Sequence, residues 1–238
     1  MPKLILVTVG TSALEKCCDK NKYPDVEELA IQLNRKGETS QLYTEVKENV
    51  LKNLKTNTQR NVENRDTDYS KLSAELASLL AMGKNPGIGK IENDDRIVLL
   101  HSDTTDGKLC AEANAEVMRQ EVKINDEVKK KIWHVEEPIK IEDLRVDDPE
   151  NFYNGLQNLK TKVTSLVKGP QSNYFNITGG FKGVIPFITV LAWDLLFPKL
   201  FYLYEKSEQI VVLSRPNNWP TDSVFDKMKI YIPPRRGE

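Results

Sequence analysis

What most constrains the fold of this chain is a recurring unit, a short uninterrupted apolar run that ends in small polar residues. Leu4-Ile5-Leu6-Val7-Thr8-Val9 runs into Gly10-Thr11-Ser12, and Ile97-Val98-Leu99-Leu100 runs into His101-Ser102-Asp103-Thr104. Tyr174-Phe175-Asn176-Ile177 runs into Thr178-Gly179-Gly180. A strand that is apolar on both faces must be covered on both, as in a parallel sheet held between helices. Helical patterns fill the intervals. Residues 106–120 follow a Thr-Thr-Asp start, residues 149–167 open with Asp148-Pro149, and residues 179–197 are apolar on most faces, as a helix packed on a sheet would be. Ile132-Trp133-His134-Val135 is a weaker, alternating run that fits a place nearer an edge. Phe201-Tyr202-Leu203-Tyr204 and Ile210-Val211-Val212-Leu213 lie too close together for a helical crossover and form an antiparallel hairpin. The expectation is an α/β fold, a doubly wound and mainly parallel sheet closed by a C-terminal antiparallel hairpin.

Residues 45–95 depart from this rhythm. From 45 to 68 the chain is rich in Lys, Asn, Thr and Glu, helical periodicity returns over 69–82, and three glycines and a proline break it over 83–89. This reads as a polar helical insertion followed by a Gly-rich loop able to close over a site.

Charge and cysteine content narrow the function classes. Thirty-four basic residues against thirty-five acidic ones give a formal charge of −1, without the basic excess that duplex DNA demands. Cys17, Cys18 and Cys110 make neither an even disulfide framework nor a CxxC pair, so a reducing cytoplasmic setting is expected and no metal site. The longest apolar stretch, 181–197, contains Lys182, Pro186 and Asp194 and falls short of the ~20 clean residues of a membrane span.

In an open parallel sheet, ligands bind beyond the carboxyl ends of the strands, so the three polar clusters are the candidate site. Gly10 permits a sharp turn, while Thr11 and Ser12 supply hydroxyl donors. The same residues would equally make a plain strand-end turn with a capping hydroxyl. There is no GxGxxG, and no dinucleotide cofactor or other cofactor is expected. Ser102, Asp103 and Thr104 can cap the following helix and still offer side chains to a ligand. Thr178-Gly179-Gly180-Phe181-Lys182 carries the strongest signal, because adjacent glycines allow close backbone approach and Lys182 puts a cation where an apolar helix has little structural use for one. It lacks the GxxxxGK[ST] spacing of a Walker A loop.

Arg96 and His101 match the Arg-x4–6-His pattern of HEPN ribonucleases, which works on a helix. Here both residues flank a strand, where positions five apart face opposite sides, so the match is coincidental.

Taken together and in this order, Val9-Gly10-Thr11-Ser12, Leu100-His101-Ser102-Asp103-Thr104 and Asn176-Ile177-Thr178-Gly179-Gly180-Phe181-Lys182 resemble the CARF domain, the CRISPR-associated Rossmann fold of type III CRISPR systems. The resemblance covers about residues 1–215, and it implies a Rossmann-like domain with 216–238 as a C-terminal extension. It also implies a homodimer that binds cyclic oligoadenylate across its two-fold axis, with no duplex DNA or membrane partner. With no effector domain after the hairpin, the chain is similar to the stand-alone ring nucleases. These cleave cyclic tetra-adenylate without a metal, through attack of a ribose 2′-OH that leaves a 2′,3′-cyclic phosphate end, and so switch off an antiviral signal. By that likeness Lys182 and Ser12 are catalytic, Lys182 stabilising the phosphorane and Ser12 placing the scissile phosphate or the 2′-OH. Gly10, Thr11, Ser102, Asp103, Thr104, Thr178, Gly179, Gly180 and Phe181 would cradle the ring. Two other readings stand beside this one: a non-cleaving cyclic oligoadenylate sensor that regulates a partner or a missing effector, and an ordinary α/β nucleotide or sugar-phosphate enzyme.

Overall fold

A computed structural model describes residues 2–64, 69–83, 85, 88–124, 128–131, 133–145, 149–167, 172–180, 182–197, 199–204 and 209–228. Four parallel strands make the heart of the molecule: β1 (Lys3–Val9), β2 (Arg96–His101), β6 (Ser172–Asn176) and β7 (Lys199–Tyr204). A short parallel strand, β5 (Ile139–Lys140), extends one edge, and β8 (Gln209–Ser214) pairs antiparallel with β7 at the other. The spatial order is β5-β2-β1-β6-β7-β8. β3 (Glu121–Ile124) and β4 (Val128–Lys131) form a separate two-stranded ribbon with no counterpart among the sequence expectations. Of the weak run at 132–135, Val135 makes a single parallel bridge to Ile97, and Ile132 lies outside the described residues.

β1 anchors the fold. Leu4, Ile5, Leu6 and Val7 are each fully buried, and burying a side chain of this size stabilises by roughly 1.5–3 kcal/mol. Its alternation divides the core in two. Ile5, Val7 and Val9 face a layer of five helices: α1 (Ser12–Cys17), α2 (Val26–Lys36), α3 (Gln41–Asn64), α4 (Ala74–Met82) and α5 (Thr105–Arg119). Leu4 and Leu6 face the opposite layer, α6 (Pro149–Leu166) and α7 (Ile185–Asp194). Helices up to β4 thus cover one face and the later ones the other. The change of side occurs around β1, whose two neighbours are β2 and β6. This is the topological switch point at which such sheets open a crevice.

The expected insertion has two unlike parts. α3 is the polar helix anticipated, burying Val46, Val50 and Leu54 at helical spacing. α4 is interior, with eight of its nine residues buried, Glu75 among them. Its N-cap Ser73 accepts a hydrogen bond from Leu76 N (3.2 Å), and the helix runs antiparallel to β1 from the carboxyl end of the sheet to the amino end. The described residues after it, Gly83, Asn85, Ile88 and Gly89, therefore lie toward the amino end of the sheet, away from its carboxyl-end crevice. Gly83 follows the helix, and Lys90 accepts a hydrogen bond from Lys3 Nζ at the start of β1 (2.6 Å). Lys84, Pro86 and Gly87 lie outside the described residues.

The helix expected over 179–197 begins later, as a single 3-10 turn (Lys182–Val184) followed by α7, with Pro186 in its first turn. Residues 215–228 do not trail away. Asp194 at the end of α7 accepts from Trp219 Nε1 (2.8 Å), Ser223 Oγ (3.0 Å) and Phe225 N (2.8 Å), and these bonds hold its carboxyl below the usual carboxylate range against the opposing effect of burial. No helix among the described residues is long and apolar enough to cross a membrane.

Candidate functional site

The carboxyl ends of β1, β2, β5 and β6 enclose a cavity of about 480 Å³, lined by Val9, Gly10, Thr11, Asn34, Ser102, Thr104, Asp106, Gly107, Leu144, Arg145, Gly180 and Lys182. It sits at the switch point, and six of the sequence candidates meet there: Gly10, Thr11, Ser102, Thr104, Gly180 and Lys182.

Each wall follows from local chemistry. After β2 the chain turns into α5 with Thr104 as N-cap, its Oγ1 accepting from Gly107 N (3.2 Å). Ser102 Oγ and Thr104 Oγ1 are 2.9 Å apart and share one proton between them, which leaves the other hydroxyl proton for a ligand. Asn34 of α2 reaches over, its Oδ1 accepting from Thr105 N (2.7 Å) and Asp106 N (3.3 Å). The first amides of α5 are therefore already occupied, and it is the hydroxyls that can meet an anion. Asp103 lies outside the cavity. One of its oxygens pairs with Lys140 Nζ (3.2 Å) and the other accepts from Asp143 N (3.3 Å), and its own amide donates to Leu144 O (3.3 Å). Asp103 thus fixes the loop that carries Leu144 and Arg145 into the cavity wall. Lys140, held by Glu142 and then Asp103, is kept in its charged form above its ordinary pKa.

Lys182 stands exposed on the 3-10 turn opposite this loop. With Arg145 it brings two basic side chains to the cavity wall, where buried Asp106 is the one carboxylate among the described lining residues. Arg145, Asn34 and Leu144 carry no signal in the sequence, since an arginine among loop acids and an asparagine on a polar helix face look like surface residues.

The remaining candidates have other work. Thr178 bonds Asn176 Oδ1 through its amide (3.1 Å) and hydroxyl (2.7 Å), and its Oγ1 accepts from Leu203 N (2.9 Å), so it stitches β6 to β7. Ser12 is not in the cavity wall. Its hydroxyl donates to Glu75 Oε2 (2.8 Å) and accepts from Ala74 N (2.9 Å). Gly10 lines the cavity, but its N–H points away from it, donating to Glu75 Oε1 (2.8 Å). Phe181 lies outside the described residues.

The glycines serve the approach of the two loops to each other. A Cβ on Gly10 would lie 2.7 Å from Gly180 N, and one on Gly179 would lie 2.0 Å from Glu75 Oε1 and 2.7 Å from Thr8 O. Gly180 adopts φ +91°, a conformation that disfavours other residues, and a Cβ there would lie 2.8 Å from Thr8 Cβ. Thr8 Oγ1 closes the seam by donating to Gly179 O (2.5 Å).

Glu75 is the residue most clearly missed. It is fully buried, and burial pushes its carboxyl above the ordinary value against the bonds from Gly10 and Ser12 and the nearby charge of Lys16. Its signal in the sequence is a lone carboxylate in the otherwise apolar Ala74-Glu75-Leu76-Ala77-Ser78-Leu79-Leu80-Ala81-Met82.

Arg96 and His101 do not form a ribonuclease pair. Arg96 Nε donates to Glu136 (2.6 Å). His101 is 3% exposed and neutralised by burial, and its Nδ1 donates to Ser102 O (2.8 Å), which fixes the Nδ1–H tautomer. Among the described residues no three His, Cys, Asp or Glu side chains are grouped to hold a metal ion. The three cysteines are free and buried, and burial raises Cys17 to about 12 and Cys18 to about 11.

Residues 70–216 match a family model described as CRISPR-associated protein (Cas_APE2256), a stretch that takes in α4 and every element from β2 to β8. No curated protein matches the chain.

Proposed function

The chain belongs to the CRISPR-associated Cas_APE2256 family, and from that premise we propose that its strand-end cavity binds cyclic oligoadenylate, with cyclic tetra-adenylate the ring of choice, at a homodimer interface and cleaves it without a metal. The observation that carries this reading is the convergence of Lys182, Arg145, Ser102 and Thr104 on one cavity at the switch point. Two cations with adjacent hydroxyls suit phosphate oxygens, since a charge-assisted hydrogen bond is roughly twice as strong as a neutral one.

The size of the cavity supports the dimer. An open space of about 480 Å³ suits part of a ring better than four nucleotides, which fits a reading in which each protomer takes half of the ring. Two protomers would present two Lys182 side chains to a ring of four phosphates. The cavity then holds one phosphodiester with its ribose 2′-oxygen in line with the P–O5′ bond. Attack gives a 2′,3′-cyclic phosphate and a free 5′-hydroxyl. Lys182 stabilises the charge that builds on the phosphoryl oxygens and protonates the departing O5′, while the hydroxyls of Ser102 and Thr104 hold the flanking phosphate. Removal of a signalling ring in this way would end the signal.

The test is incubation of the protein with cyclic tetra-adenylate in EDTA, with products followed by mass spectrometry. Linear products with 2′,3′-cyclic phosphate ends are expected, formed about 100-fold more slowly by Lys182→Ala. Tight binding of a ring that stays intact would make the protein a sensor. Failure to bind the ring would overturn the reading.

A further inference from the structure

Beneath the cavity floor lies a buried acid that the proposed reaction has not yet used. Glu75 enters from α4 and its two oxygens are divided between Gly10 N and Ser12 Oγ, both at 2.8 Å, in the seam where the Gly10 and Gly179–Gly180 loops touch. Among the described residues no ion pair neutralises it. A chain that needed only a pin at this point would be better served by glutamine, whose carbonyl keeps the Gly10 bond without burying a charge. A buried carboxylate that accepts a hydroxyl proton and lacks a counter-ion is, in chemical terms, a base.

We propose that Glu75, acting through Ser12, is the proton acceptor for the attacking 2′-hydroxyl. This rests on the ring-cleavage reading and completes it. Ser12 Oγ donates its one proton to Glu75 Oε2 and accepts from Ala74 N, which leaves one lone pair. Ser12 is half-buried and directly follows Thr11 of the cavity wall, and in this proposal the ribose hydroxyl docks on that lone pair at the cavity's edge. As O2′ bonds to phosphorus, its proton passes to Ser12 Oγ while the serine's own proton passes to Glu75. The P–O5′ bond breaks and O5′ takes a proton from Lys182. One proton is gained by Glu75 and one lost by Lys182, and exchange with solvent restores both. Glu75 is in these terms a positioning residue, since it reaches the ribose only through the serine.

The ionisable neighbours are few. Lys16 and Cys17 lie on α1, Cys110 lies on α5, and Tyr69 lies beside the start of α4, sharing a small recess with Lys16 and Ala74. On the strands under α4, Tyr174 of β6 is paired with Ile5 in mid-strand. Burial keeps both cysteines protonated, so the carboxylate and Lys16 are the local charges that govern proton transfer.

The experiment is the ring-cleavage rate from roughly pH 5 to 9 for the wild type, Glu75→Gln, Ser12→Ala and the double variant, with ring affinity and melting temperature measured on the same samples. The wild-type rate should rise with pH as Glu75 ionises and then level. Glu75→Gln should bind the ring within about threefold of the wild type, cleave it about 100-fold more slowly, and lack the rising limb. Ser12→Ala should match it, and the double variant should be no slower than the slower single one, because the two residues act as a unit. An unaltered limb in Glu75→Gln, or a rate loss that only tracks lost affinity and melting temperature, would overturn this assignment and leave ring cleavage standing. A wild type that leaves the ring intact at every pH would overturn both.

Discussion

The two flanks of β1 use the same residue types for opposite purposes. Toward β2, Ser102 and Thr104 hold their hydroxyls at the edge of an open space faced by Arg145 and Lys182. Toward β6, Thr178 and two glycines are packed against Asn176, Thr8 and Glu75, and half-buried Ser12 is tied to Glu75 at the edge of that seam. Small polar residues after a strand are thus either a binding surface or a seam, and what separates the two is the element that packs above them. α5 starts beside the β2 loop and leaves the space in front of it empty. α4 drops a carboxylate into the β6 side and fills it.

The sharpest way to break this contrast is at Gly180. Alanine there must accept φ +91° and a Cβ 2.8 Å from Thr8 Cβ. A strained backbone costs about 1–3 kcal/mol, and overpacking typically adds ~1–3 kcal/mol. A Gly180→Ala protein should therefore lose at least about 2 kcal/mol in urea denaturation. A loss under about 1 kcal/mol would mean that the seam gives way easily and that the β6 flank is as open as the β2 flank.

Arg145 sharpens the contrast from the other side. If the β2 flank is the binding surface, Arg145→Ala should weaken cyclic tetra-adenylate binding about tenfold, or ~1.4 kcal/mol, and change stability little. The loss should shrink as salt rises, because the contact is ionic. Titration calorimetry at two salt concentrations would check both. Unchanged affinity with a lowered melting temperature would make Arg145 part of the scaffold.

The sequence made one flank far easier to interpret than the other. The parallel strands and the closing hairpin follow from apolar runs that leave few alternatives, because Leu4 to Val7 have no polar face to show to water. Lys182 stood out because an apolar helix start has no use for a cation. Ser12 could not be sorted between site and seam, because the deciding residue, Glu75, lies 63 positions away on a helix taken for an accessory insertion. Arg145 was invisible for the complementary reason. Its neighbours in sequence are loop acids, and its loop is anchored at the cavity by distant residues, among them Asp103, which accepts from the Asp143 amide 40 positions later in the chain. Local pattern reveals strands and caps, but what a polar residue does depends on its partner in space.

The smallest expected effect, though the one specific to the closed flank, is the pH dependence of folding stability. Burial raises the Glu75 carboxyl in the folded chain above its ordinary value of 4.5. The folded state therefore holds a proton that the unfolded chain has released, and stability must fall as pH rises from about 4.5 through the folded value. Below that window both states are protonated and Glu75 contributes nothing. Above it, the charged carboxylate burdens the fold. Glu75→Gln removes this slope while keeping an acceptor for Gly10 N. The variant should match the wild type in acid and equal or exceed its stability at neutral pH, whereas Arg145→Ala should retain the wild-type slope. Urea midpoints from pH 4 to 8 would show the difference. A wild type that gains stability across that range relative to Glu75→Gln would mean that the bonds from Gly10 and Ser12 outweigh burial, and that Glu75 sits in the seam as a settled anion.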